Sequence, residues 1–380
     1  MVNMKSEEGK RDKGMFSVGS EGFRYMRMLI KLNGIAVELE SEHSQFVTFA
    51  EDHFRDFISH ECNDCDIKIR FTLDGESGIN ENSDEFGNIN ELDKIGRRLL
   101  IGYDQVVILE LTRFPGLKIK FKISGSTLSA FGLFQVQQSE ITNIFNRFRR
   151  GKGLRAKELF FLLYYLIYFP IFWYLERYKG LYLLHASAVQ MNNKGIVFSG
   201  LGGVGKSTLT LATLSYPDSK FLSDNLIFFD DQKVYACFEQ ISLDQRSMNL
   251  LQRVSEKLER TEFIVSHGRR NYRVRQDMTI DATEPQKLFL LRLAKETYVS
   301  PISPLETAEK LLAINQRAHE VEEYYNIAAA LSLAFPEERL HHKKSITLER
   351  FLSNVQCYEL GMKIGMDLQQ VLEKTVYRIV

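Results

Sequence analysis

Between about residues 20 and 130 the chain is punctuated by short runs in which apolar and polar side chains alternate: MRMLIKL, GIAVELE, DIKIRFTL, RLLIGY, VVILELT and LKIKFKIS. A period of two is the signature of strands with one face buried. The pattern predicts a mostly β N-terminal domain over residues 15–150. Residues 1–14 are charged and poor in apolar side chains, which predicts a disordered tail. The stretch from Asp74 to Asp93 is acidic and rich in Gly and Asn and reads as a surface loop.

Helical spacing takes over near Gln138, and from Leu159 to Leu175 almost every residue is apolar or aromatic. That run is slightly short for a membrane span, carries four tyrosines and holds Pro170 inside it. It predicts a buried core helix kinked near Pro170, with no membrane span expected. Beyond Asp244 the chain mixes helical patterns, such as Leu305–Ile314 and Val321–Phe335, with short strands. The expected division is therefore a core over 151–245 and a mixed, largely helical region over 246–380 packed on it.

Composition narrows the function classes. Lysine plus arginine equals aspartate plus glutamate at 49 each among 380 residues, so net charge does not point to nucleic acid as a partner. Four cysteines are too few for a disulfide framework in a chain of this size, and the N-terminus lacks the apolar region of a signal peptide. A cytoplasmic location is expected.

The chemistry is concentrated in Gly200-Leu-Gly202-Gly203-Val204-Gly205-Lys206-Ser207-Thr208, which fits the spacing G-x-x-x-x-G-K-[ST]. An apolar strand, Ile196–Phe198, leads in, and a helical pattern from Thr208 to Leu214 leads out. Glycines let the backbone wrap an anion with its N–H groups turned inward, and the helix adds its positive end. Lys206 is suited to the β- and γ-phosphates, and Ser207 to Mg²⁺.

Two neighbours bear on this loop. Leu181 to Gln190 reads as a strand joined to the loop strand by a tight turn at Met191-Asn192-Asn193-Lys194. If Gln190 pairs with Gly195, His185 falls opposite Gly200. Downstream, Ser219 to Asp230 reads as one more strand, which a β-α-β crossover would lay beside the loop strand, with Asp224 near a bound triphosphate. Asp230 and Asp231 read as solvated turn residues.

The order His185-Ala-Ser-Ala-Val, then GLGGVGKST, then Leu222-Ser-Asp224-Asn225 resembles the catalytic domain of the HPr kinase/phosphorylase-related serine kinases over roughly residues 155–240. In the loop and the acidic strand it is also similar to phosphoenolpyruvate carboxykinase. The resemblance implies an α/β (α+β overall) fold with an HPr-kinase-like P-loop core, an N-terminal β-rich domain and C-terminal helices. It implies ATP held by Gly200 through Thr208, Mg²⁺ on Ser207 and Asp224, and Asp224, His185 and Lys206 acting catalytically. It suggests transfer to a serine of a small protein or peptide, and a homo-oligomer. Asn225 stands where the family usually has a second aspartate, and no counterpart of the C-terminal phosphorylase signature is evident. A nucleotide-responsive binding protein, or an ATPase without an acceptor, is the alternative.

Three further clusters are weaker. Cys62 and Cys65 with His53 and His60 lack the second half of a zinc site. The basic stretch Arg147, Arg149, Arg150, Lys152, Arg155 and Lys157 reads as a solvated helix face. The cluster His267, Arg269, Arg270, Arg273 and Arg275 offers an arginine that could steady developing phosphoryl charge.

Overall fold

A computed structural model describes residues 16–18, 24–62, 64–73, 86–135, 154–237, 239–261, 268–337, 340–365 and 367–377. The expected tail, most of the acidic loop, residues 147–152 and His267 lie outside them. The fold is α+β, with several sheets and helices in one chain.

The alternating runs of the N-terminal part become one large sheet. Its strand order is Phe16–Val18, Arg24–Leu32, Ile35–Ser41, Ile67–Leu73, Thr127–Phe134, Leu117–Ser124, Gln105–Ile108, Leu99–Ile101 and Asp93–Lys94. One face carries Ile30, Val37, Ile67, Ile69, Phe71, Ile119 and Phe121 into the core, as their period-two spacing requires. Two elements were not visible in the runs. The helix Ser44–His53 joins Ile35–Ser41 to the parallel strand Ile67–Leu73, and Thr127–Phe134 fills the centre of the sheet. The expectation of a surface loop also needs correction at its end. Phe86 is buried edge-on against Phe131, 5.1 Å between ring centres, on the other face of the sheet.

The apolar run is the core helix of this half. It extends from Ala156 to Lys179, is long and apolar enough by composition to cross a membrane, and is mostly buried in the fold. Its course alternates: α-helix at Ala156–Leu163 and Phe169–Tyr174, wide π turns at Tyr164–Tyr168 and Leu175–Lys179. The first wide turn ends at Tyr168, two residues before Pro170, which has no N–H for a regular helical bond. A local widening thus accompanies the proline. Tyr165, Tyr168 and Trp173 are enclosed between the large sheet and the helix His319–Ala334.

The second half is built on a six-stranded sheet ordered Lys220–Ser223, Ala186–Met191, Lys194–Ser199, Pro285–Ala294, Gln356–Lys363 and Tyr298–Pro301. Lys194–Ser199, Pro285–Ala294 and Gln356–Lys363 run parallel, and the helix Lys206–Thr213 packs on one face through Leu209. A smaller sheet holds Tyr182–Leu184, Ile227–Phe229, Val234–Ala236 and Ala282–Thr283. The expected single strand from Ser219 to Asp230 is therefore two strands in two sheets. Nor does it lie beside the loop strand. Ala186–Met191 is inserted between them and pairs antiparallel with both.

Candidate functional site

The hairpin leading to the loop has the register its turn demands. Gln190 pairs with Gly195 and Ala186 with Ser199, which leaves His185 one step further on, level with Gly200. Asn192 and Asn193 take φ 50° and 61°, the left-handed pair that a two-residue hairpin turn requires and that asparagine tolerates.

At the end of the loop strand, Gly200 has φ 154°, and a β-carbon there would stand 2.7 Å from the Leu291 carbonyl oxygen on the neighbouring strand. Only glycine fits that approach. Gly205, at φ 100°, turns the chain into the helix Lys206–Thr213. Leu201, Gly202 and Gly203 are exposed, Val204, Gly205, Ser207 and Thr208 are half-buried, and Lys206 is buried. The Lys206 ammonium donates to the Gly200 carbonyl (2.8 Å) and the Leu201 carbonyl (3.3 Å). Burial lowers its pKa, partly offset by the carboxylates of Asp224 and Glu320.

His185 and Asp224 occupy equivalent places. The adjacent antiparallel strands that carry them both change sheets at these residues. Tyr182–Leu184 and Ile227–Phe229 pair in the small sheet, whereas Ala186–Met191 and Lys220–Ser223 pair in the large one. The seam between the sheets faces the Lys206 ammonium, whose charge is felt at His185 and which in turn feels Asp224. At the first crossing, Asn315 Oδ1 accepts from the His185 N–H (2.7 Å), and Ser199 Oγ donates to the His185 carbonyl (2.9 Å). At the second, Leu226 N–H donates to the Asp224 carbonyl (2.8 Å) around Asn225, which sits at φ 68°. Asparagine tolerates this left-handed conformation better than most residues.

The side chains are equally fixed. Ser187 Oγ donates to Asp224 Oδ1 at 2.6 Å, and Asp224 is 5% exposed. His185 is also 5% exposed, and its Nδ1 has no hydrogen-bond partner among the described residues. Its pKa is lowered to about 3, first by burial and then by the Lys206 charge, so the ring is neutral at ordinary pH.

Two acids here escaped the sequence reading. Glu239 accepts from Asn225 Nδ2 (2.8 Å) and from the Tyr164 hydroxyl on the core helix. Its pKa is pushed up to about 8 by burial first, then by Glu320 and Asp224, against the lowering effect of those two hydrogen bonds. Glu320 opens the helix His319–Ala334 and acts electrostatically on both Glu239 and Lys206. Glu239 did leave a trace, as a lone acid in Val234-Tyr-Ala-Cys-Phe-Glu-Gln-Ile. Glu320 left none, because an acid in the first turn of an amphipathic helix is ordinary.

The other sequence candidates lie elsewhere. Cys62 and Cys65 place their sulfurs 2.7 Å apart, while His53 bonds the Tyr168 hydroxyl (2.7 Å) inside the N-terminal half. Among the described residues no three His, Cys, Asp or Glu side chains converge as a metal site. Arg273 is committed to the Asp52 carboxylate (3.1 Å) and to its main-chain carbonyl. Arg269 bonds Ser242 and Arg275 bonds Asp277. Arg155 pairs with Glu158, and Lys157 lies over the Phe161 ring. Asp230 caps its own turn by accepting from the Gln232 and Lys233 N–H groups.

No family model and no curated protein matches this sequence. Among solved structures, the chain is similar to the HPr(Ser) kinase/phosphatase from Coxiella burnetii, at 12% identity and a TM-score of 0.25. The alignment covers 52% of this chain and 95% of that one. At such a score the likeness carries no weight, and the functional reading stands on the residues.

Proposed function

We propose that this chain is a phosphotransferase that moves the γ-phosphoryl group of ATP to a hydroxyl, that of a serine in a small protein or peptide. The observation that carries the reading is the seam: a lysine at the end of a glycine loop, with a carboxylate and a neutral imidazole fixed on two strands that cross beside it. In the reaction the acceptor oxygen bonds to the γ-phosphorus and the bond to the β-phosphate bridging oxygen breaks. ADP leaves, and the hydroxyl proton passes to Asp224. Such transfer needs little covalent help, so positioning and charge dominate.

Each residue has a defined part. The loop amides from Gly200 to Thr208 cradle the phosphates, and Lys206 exchanges the carbonyls of Gly200 and Leu201 for phosphate oxygens. Ser207 and Asp224 supply the hard oxygen donors that suit Mg²⁺, which when bound would neutralise phosphate charge. That ion keeps most of its shell as water and phosphate, so two protein donors suffice. Glu239 holds the nitrogen end of the Asn225 amide and leaves the carbonyl end for the phosphate side. Asn225 thus retains ligand capacity but not the ability to take a proton.

The test is labelled ATP with Mg²⁺ and serine peptides. Lys206→Ala is expected to abolish transfer with an unchanged circular dichroism spectrum. Asp224→Asn is expected to keep nucleotide binding and lose about 10²- to 10⁴-fold in transfer, the usual range for removing a general base. A fully active Lys206→Ala protein contradicts the assignment. Asn225 favours a second reading, a nucleotide-responsive binding protein or an acceptor-independent ATPase. Tight Mg-ATP binding without transfer, or phosphate release with no acceptor added, marks those two outcomes.

A further inference from the structure

The glycine loop lies on apolar ground. A β-carbon at Gly200 would stand 3.3 Å from Leu291 Cβ and 3.0 Å from Val204 Cγ2, and one at Gly205 would stand 3.7 Å from Met362 Cε. Leu291 and Met362 belong to Pro285–Ala294 and Gln356–Lys363, the two parallel strands that follow the loop strand in the sheet order. Both strands run on past the loop. Leu293 pairs with Met362 and has the parity of Leu291, so it stands on the loop's side of the sheet. Ile364 comes two residues after Met362, in the turn that ends that strand.

The two faces of these strand ends differ in chemistry. On the far face Glu359 is paired with Arg292 (3.4 Å) and Lys310 (3.0 Å) and accepts from the Tyr298 hydroxyl (2.6 Å). On the loop's side Leu201, Leu293 and Ile364 are 51%, 50% and 70% exposed. Single exposed apolar side chains are ordinary on a protein surface. These three, however, mark the ends of three adjacent parallel strands, the place where open α/β sheets receive their ligands.

The sheet order says what covers them. The seam with His185 and Asp224 lies to one side of the loop strand, at Ala186–Met191 and Lys220–Ser223. A terminal phosphate directed to Lys206 and Asp224 points that way, so the nucleoside end must extend to the other side, over Pro285–Ala294 and Gln356–Lys363. Gln356–Lys363 is two strand steps from the loop strand, roughly 10 Å at about 4.8 Å per step. That matches the reach from the middle phosphate of a nucleoside triphosphate to its base. We infer that Leu201, Leu293 and Ile364 form the seat of the purine base, which rests on their aliphatic side chains while its triphosphate crosses the glycine loop towards Asp224. An apolar seat holds an aromatic base by contact and removal of water, and leaves its polar edge in solvent. The assignment rests on the phosphotransferase reading and deepens it.

Isothermal titration of the full chain compares Mg-ATP with Mg-tripolyphosphate, which carries the phosphates without the nucleoside. The parent is expected to bind ATP about tenfold more tightly or better. The double variant Leu293→Asn with Ile364→Asn is expected to lose about tenfold in ATP affinity, the effect of withdrawing roughly 50–60 Å² of apolar contact. Its tripolyphosphate affinity should be unchanged, which shows that the loop is folded. Ile364→Trp, at an exposed position, is expected to tighten ATP about threefold by offering a ring to stack on, again with tripolyphosphate unchanged. Three results overturn the proposal and leave the phosphate loop assigned: equal affinity of the parent for the two ligands, unchanged ATP affinity in the double variant, or equal losses for both ligands there with no gain in Ile364→Trp. Binding of neither ligand by the parent would overturn the phosphotransferase reading along with it.

Discussion

Two side chains at the site sit at unusual protonation levels for one shared reason, enclosure at the seam between two sheets. His185 is kept neutral by burial and by the adjacent Lys206, whereas Glu239 retains its proton to about pH 8. Glu239→Gln preserves the bond from the Tyr164 hydroxyl and removes the titration. In that variant the alkaline limb of nucleotide affinity, set in the parent by a carboxylate appearing near pH 8, is expected to flatten. Isothermal titration from pH 6.5 to 9 checks this, and a persistent inflection would assign the titration to another group. The legibility of these residues in the sequence followed their chemistry. Gly200, Gly205 and Lys206 were visible because few residues satisfy a phosphate loop. His185 was placed by counting back from the Asn-Asn turn. Glu239 was not, because it reaches Asn225 only through the return of the chain after Ile227–Phe229 and Val234–Ala236.

At the scale of elements, alternation found the strands but not their neighbours. Thr127–Phe134 escaped notice because it is buried on both faces, so its apolar residues do not alternate. It lies so close to the core helix that Gly132 leaves no room. A β-carbon there would stand 2.5 Å from Leu166 Cδ2. Gly132→Ala is therefore expected to destabilise the protein by about 1–3 kcal/mol, the usual penalty of overpacking. Combining it with Leu166→Ala should recover part of the loss, because the methyl then enters the space vacated. Urea denaturation of the two single variants and the pair supplies the coupling, and strict additivity would show that strand and helix do not meet there. The crossover expectation failed for a similar reason. Helix and loop length permit Lys220–Ser223 to sit beside the loop strand or one place further, and only the pairing of Ala186–Met191 with both decides.

For the molecule as a whole, the buried titratable groups oppose one another in their pH dependence. His53 and His185 both have pKa values lowered to about 3, chiefly by burial, from an ordinary 6.5. The folded state therefore binds fewer protons than the unfolded chain between those limits, and their contribution is lost as pH falls from 6.5 towards 3. Glu239 works the other way. Raised from 4.5 to about 8, it favours the folded state fully below 4.5 and less as pH rises through 8. Two rising contributions exceed one falling contribution up to 6.5, and above that only the falling one remains. The melting temperature is expected to peak near pH 6.5, and His53→Phe should make the acid side shallower. A peak displaced above pH 8 would mean that other groups govern the balance.

The hydroxyl of Tyr164 has a wider consequence. It projects from the helix that fills the N-terminal core and ends on Glu239, the side chain that holds Asn225 next to Asp224. The helix is thus an anchor shared by two halves of the molecule, and a fragment starting at Leu181 would lose both its partner and the cover over Phe228 and Tyr324. The half that carries the glycine loop is consequently not a portable module. The corner at Asp224 and Asn225 is held in shape by a side chain rooted in the neighbouring core.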